Sequence, residues 1–258
     1  MKATLPATHL LRRFFLYAFT ILLLLTIVRA GFSLWLFQDV QQADALIPLF
    51  LQGLRFDLAI VGALCLVPLV IGYLLGMIGP LRPLAKIFLV VTMLAGLLFI
   101  MIAEFVTPWF LQGSGVRPDF DMLKSAENPV ASALEAATAL SPNSQIPLAI
   151  AAVLMLLITL AFLSRLELPR LLHYRLSVPQ ALLMSIVGAL ACLVAIWSTP
   201  DLRKPMLSNG DALISANAKV NDLAMNSAWK ILFSAAQPYL DKSLPDFARG
   251  DDGDNDGS

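Results

Sequence analysis

FFLYAFTILLLLTIVRAGFSLWLF, residues 14–37, decides the class of this chain: the run is apolar along its length apart from Arg29 and a few small polar residues. A helix needs about 20 apolar residues to cross ~30 Å of hydrocarbon, and this stretch is long enough. Four more stretches reach that length: Phe56 to Ile78, Lys86 to Val106, Ile146 to Ser164 and Pro179 to Ser198. Together they predict an all-α polytopic membrane protein, with five transmembrane helices within residues 1–200. The intervening segments are too short for a conventional globular catalytic domain.

Composition points the same way. Hydrophobic residues make up 58% and charged residues 14% of the 258 positions, where soluble domains carry roughly 25% charged. Formal net charge is zero, so nothing recommends a nucleic-acid partner. Cys65 and Cys192 fall inside the apolar stretches without CxxC spacing and read as packing residues.

Orientation follows from Lys and Arg beside the span ends, because short cytoplasmic loops are enriched in them. Lys2, Arg12 and Arg13 precede the first span, Arg82 and Lys86 lie at the second connection, and Arg165, Arg170 and Arg175 at the fourth. These regions are expected to be cytoplasmic. The N-terminus is then inside, and Gln38 to Arg55, Thr107 to Gln145 and everything after Ser198 are outside. A bacterial plasma or inner membrane is the simplest location. The first apolar run is too long for a cleavable signal and lacks a small-residue cleavage site.

Within the third connection, Asn128-Pro129 predicts an N-cap and first-turn proline opening a helix to about Leu140. Phe120 and Leu123 share one face of a short turn before it, and both pieces are expected on the outer membrane surface. Residues 201–240 read as an extracytoplasmic linker, extended over Leu202 to Pro205 and then helical from Asp211 to Gln237. That helix places Leu213, Ala216, Val220, Leu223, Ser227 and Ile231 on one face. Asn217, Asn221 and Asn226 fall on the other side or its border, and Pro238 ends the helix. Residues 241–258 are an acidic, Gly-rich tail expected to be disordered. Its Asp252, Asp254, Asp256 and Gly257 match the opening of a calcium loop but lack the later ligands, so they read as a solvated tail.

Arg29 lies about fifteen residues from the cytoplasmic end of the first span, roughly 22 Å along a helix, which puts it in the outer half of the bilayer. An arginine there costs several kcal/mol unless it finds a partner. Asp57 and Glu104 fall at similar depth on the second and third spans. An inward-facing cluster of Arg29, Asp57 and Glu104 is expected, with Arg55 and Arg117 at its rim. It could be an ion-paired network that sets helix register, or a pocket in which Arg55, Arg117 or Arg29 meets a phosphate. A proton or ion path is poorly motivated, because the inner halves of the spans lack ionisable residues.

Gly53-Leu54-Arg55-Phe56-Asp57-Leu58 entering the second span, Glu104 closing the third and Gly115-Val116-Arg117-Pro118 in the outer loop resemble a known pattern. It is that of the membrane part of lipoteichoic acid synthase-like phosphoglycerol transferases, in the sulfatase/alkaline phosphatase superfamily. The similarity extends to the five-span layout and the post-membrane segment carrying Asn217, Asn221 and Asn226. It implies a membrane domain tethered to an extracytoplasmic catalytic domain with a threonine nucleophile and manganese or magnesium. Such a domain transfers glycerol phosphate from a phosphatidylglycerol-type lipid. This chain stops where the linker would reach that domain, so the nucleophile and metal ligands have no counterpart in it. His9 and His173 are its only histidines, both on the expected cytoplasmic side, and no cofactor is expected to bind this chain itself.

The resulting expectation is a membrane domain that anchors, and presents an anionic lipid headgroup to, a sulfatase-type catalytic partner. Arg55 and Arg117 would contact phosphate, while Asp57 and Glu104 hold them and neutralise Arg29. The alternative is a structural or assembly protein whose charges only pair helices. A small-solute transporter lacks the expected inverted repeats and broken helices.

Overall fold

The computed structural model describes residues 8–125, 128, 131, 135, 138, 142–165, 178–198 and 207–243, and among these residues the regular structure is entirely helical. The long helices are α1 (Thr8–Trp35), α3 (Leu46–Met77), α4 (Arg82–Gly113), α6 (Pro142–Arg165) and α7 (Val178–Trp197). Shorter ones are α2 (Phe37–Gln42), α5 (Phe120–Ser125) and α8 (Ala218–Ala224), and α9 (Ser227–Ser243) closes the described chain.

Four helices are long and apolar enough to cross a membrane: Leu11–Trp35, Leu46–Met77, Gly79–Gly113 and Val178–Trp197. The remaining expected span, 146–164, falls on α6, whose described apolar run Leu148–Leu163 is shorter. The exteriors are apolar too. On α4, Ile87, Val91, Leu98, Ile102 and Phe105 are exposed at helical spacing, a surface that hydrocarbon solvates and water does not. The protein is therefore read as membrane-embedded.

α3 is central, packing on α7, α4 and α1, and α6 lies against α1. α1 buries Tyr17, Ile21, Leu24, Val28 and Phe32 along one stripe. Where α3 meets α7 the backbones approach closely: a Cβ at Gly62 would lie 2.6 Å from the carbonyl oxygen of Cys192. Small residues permit such contact when lipid offers no hydrophobic drive between helices. Cys65 and Cys192 are both buried thiols of this interior.

The helices outrun the hydropathy limits. α3 starts at Leu46, so the expected outer segment from Gln38 to Arg55 holds α2 and the first turns of α3. α4 likewise continues past Val106 to Gly113. Apolar composition is interrupted at Gln52, Arg55 and Asp57, but backbone hydrogen bonding is not, because these polar side chains find partners within the protein: Asp57 in Arg29, Gln52 in the Asp211 carbonyl and Arg55 in Gln52.

The post-membrane segment also departs from the single helix expected over Asp211 to Gln237. A 3-10 turn (Asn209–Ala212) is followed by irregular chain, then α8, a break at Met225 and Asn226, and α9. The asparagines make the breaks. Asn221 Oδ1 accepts the Ile214 and Ser215 N–H groups, and Asn217 Oδ1 accepts that of Lys219. Asn226 Oδ1 accepts the N–H of Trp229 at 2.7 Å. Asn side chains compete with helical backbone bonding in this way and favour caps. Consequently Leu213 and Ala216 are exposed, whereas Asn221 and Asn226 are buried. Pro238 does not end α9, which runs to Ser243. A proline inside a helix removes one hydrogen bond and crowds the carbonyl of the preceding turn, and α9 carries that cost near its end, where residues 237–239 are exposed.

In the third connection, Leu123 is half-buried while Phe120 is exposed, and α5 packs on α9. Asn128 Oδ1 accepts the Ala131 N–H at 3.1 Å, the geometry of an N-cap, and residues 131, 135 and 138 are helical. The rest of that predicted helix, the extended Leu202 to Pro205, His173, Arg170, Arg175 and residues 244–258 lie outside the described residues, whereas 241–243, expected to open the disordered tail, are the last residues of α9.

Candidate functional site

Arg29, on α1, reaches across to α3. Its Nη1 donates to Asp57 Oδ2 at 2.6 Å and its Nη2 to Asp57 Oδ1 at 2.7 Å, a bidentate fork between two buried side chains. Such paired, charge-assisted bonds are the strong ones. Nη2 also approaches the carbonyls of Gly53 at 3.2 Å and Ala224 at 3.4 Å, so α1 is tied to α8 as well. Gly53 supplies the space: a Cβ there would sit 2.3 Å from both Cζ and Nε of Arg29. Gly53→Ala is therefore expected to displace the guanidinium and destabilise the fold by about 1–3 kcal/mol, as overpacking typically does, read as a lower unfolding midpoint in detergent.

Arg117 lies at the centre of the cluster and not at its rim; at 1% exposure it is among the largest fully buried side chains. Nη1 donates to Glu104 Oε2 at 2.7 Å and to Ser227 Oγ at 2.9 Å, and Nε to the Asp222 carbonyl at 2.9 Å. Its own N–H is bonded to the Asp222 carboxylate. Its Cζ stands 5.0 Å from the centroid of Phe32, within cation–π range.

The two ion pairs meet at the start of α9. Glu104 Oε1 accepts the Ser227 N–H at 2.8 Å, and Asn226 Nδ2 donates to Asp57 Oδ1 at 3.0 Å. Thr107 on α4 bonds the Ser227 hydroxyl. Glu104 thus faces the positive end of the α9 dipole, while Asn226 both caps α9 and satisfies Asp57. On the far side Lys230 Nζ donates to Asp222 Oδ1 at 3.0 Å. Three cations, Arg29, Arg117 and Lys230, face three carboxylates, Asp57, Glu104 and Asp222, so the cluster is neutral as a whole.

Arg55 stands apart. Its side chain is 37% exposed, it bonds Gln52 at 3.0 Å and it lies 3.9 Å from Asp211. The structure therefore brings Arg29, Asp57, Glu104 and Arg117 into one network and leaves Arg55 at the outer edge. Asp222, Asn226, Ser227, Lys230 and Thr107 complete the network without having been singled out in sequence as ionic or hydrogen-bonding members. The available signal was the pair Asn226-Ser227, a cap followed by a helix start.

Among the described residues no group of three or more His, Cys, Asp or Glu is placed to hold a metal ion. No protein-family model, curated protein or solved structure matches this chain.

Proposed function

We propose that this chain is the five-span membrane platform of a lipoteichoic acid synthase-like phosphoglycerol transferase, lying in a bacterial plasma or inner membrane with its N-terminus cytoplasmic. Its task is to hold an extracytoplasmic sulfatase-type catalytic unit at a set height and direction over the outer leaflet. The observation that carries the reading is the grip on α9: Glu104 from one span bonds its first residue, and Asp57 from another bonds its cap residue. A helix held through its first turn by two buried carboxylates cannot swivel freely, so whatever it leads into inherits the orientation of the spans. Manganese or magnesium would belong to the catalytic unit. The described residues of this chain do not fit such an ion, and no transfer step is derived from them.

Presentation of an anionic, phosphatidylglycerol-type headgroup is the second part of the proposal. Of the three arginines of the expected cluster, Arg55 is the one that a phosphate from outside can reach, while Arg117 acts from beneath by holding the outer helices in place. Arg55→Ala is expected to lower phosphatidylglycerol retention in native mass spectrometry. It should leave the unfolding midpoint nearly unchanged, since exposed pairs contribute about 0–1 kcal/mol. The charge balance of the cluster favours a second reading, a structural or assembly protein whose ion pairs only join helices. An unaltered lipid profile in Arg55→Ala, together with no sulfatase-type polypeptide in the native complex, would leave that reading standing.

A further inference from the structure

A cavity of about 570 Å³ opens between α1, α4 and α6, a volume within the range of small-molecule sites. Its walls are apolar: Val28 and Phe32 from α1, Phe105 and Pro108 from α4, and Leu148 and Met155 from α6. Ala149 and Ala152 make the α6 wall shallow enough to leave the groove. From Gln145, at its outer end, to Met155 the cavity follows α6 for about 15 Å, half of the ~30 Å hydrocarbon thickness. That is the depth of one leaflet.

Two further features bear on the occupant. Phe105, Ala149 and Ala152 are exposed, so the groove is open along a surface that hydrocarbon surrounds. Glu104, the one ionisable side chain among the described residues that line it, is already matched by Arg117 and the Ser227 N–H. The polar residues Thr138 and Gln145 also line it, Gln145 Nε2 approaching the Thr138 carbonyl at 3.5 Å and the Thr138 hydroxyl donating to the Glu135 carbonyl; with the N-terminus of α6 taken as its outer end, this is where a headgroup would emerge.

We infer that this groove is a binding site for one acyl chain of an outer-leaflet glycerophospholipid, its headgroup beside Thr138 and Gln145. The inference goes beyond the transferase reading and rests only on the spans lying in a bilayer.

The test uses the full chain in vesicles of phosphatidylethanolamine and phosphatidylglycerol. These are doped with a phosphatidylcholine carrying a diazirine midway along one chain. After illumination, label is expected to concentrate on the groove residues of α6 and on Phe105, above the level on the exposed α7 face at Leu182, Ile186 and Leu190. Ala152→Trp, which fills the groove, should cut groove labelling several-fold while α7 labelling stays constant. If that variant does not fold, Ala149→Leu serves the same comparison. Equal labelling of the groove and the α7 face in the unaltered chain would overturn the proposal, as would groove labelling that a filling substitution leaves unchanged. Cross-links from the groove to a second copy in place of lipid would overturn it too. Because Arg55 does not line the groove, failure here is distinguishable from failure of the headgroup proposal.

Discussion

Replacing Asp57 by alanine is expected to lower the stability of the folded state by about 3–5 kcal/mol, the cost of breaking a buried ion pair by removing one partner. Arg29 is 2% exposed and would keep only the distant carbonyls of Gly53 and Ala224. Its Nε is already buried without a hydrogen-bond partner, so the guanidinium has no reserve contact to turn to. Asn226 Nδ2 would lose its acceptor as well. The measurement is reversible unfolding in mixed detergent, with the double variant Arg29→Met/Asp57→Leu as its companion. That double variant should recover much of the loss, because a buried pair exchanged for apolar residues of similar volume is often neutral. A cost below about 1 kcal/mol in Asp57→Ala, the size of a solvated surface pair, would mean that water reaches Arg29.

Arg117→Ala is expected to cost a similar ~3–5 kcal/mol, with a different spatial signature. This side chain joins Glu104 on α4 to Ser227 and to the backbone of Asp222, so its loss should free α8 and α9 before it loosens the spans. Hydrogen exchange reads this directly: amides of 218–243 should lose protection while those of α1 and α3 keep theirs. Arg117→Lys should not rescue docking, because a single ammonium cannot replace a planar fork whose Nε and Nη1 bond different elements. Protection lost uniformly over spans and outer helices would show that Arg117 supports the whole bundle instead of clamping its cap.

The members of the cluster that sequence reasoning found are those that stand out chemically. Arg29, Asp57 and Glu104 interrupt apolar runs, where an ionisable side chain needs a partner. Ser227 fell on the expected packing face with nothing to mark it as a hydrogen-bonding member, while Asp222, Asn226 and Lys230 lie in a mixed polar segment, where such residues are ordinary, so nothing in composition marked them as buried. Arg117 was misplaced for the same reason. Its loop is polar, yet α8 and α9 cover it and leave it 1% exposed. The single helix expected over Asp211 to Gln237 failed because apolar periodicity carried across Asn217 and Asn226. Their side chains instead bond the backbone N–H groups of Lys219 and Trp229 and divide the segment.

Sequence alone determined that this is a helical membrane protein with ionisable residues set within its apolar helices, since span length and the cost of a lone charge in hydrocarbon depend only on local composition. Tertiary structure decided which charge meets which. Arg29 takes Asp57 because Gly53 leaves room beside α3, and Glu104 takes Arg117 and Ser227 because α9 starts above α4. Those pairings depend on the relative placement of helices far apart in the chain. Close packing between backbones sets that placement, and no local pattern of residues encodes it.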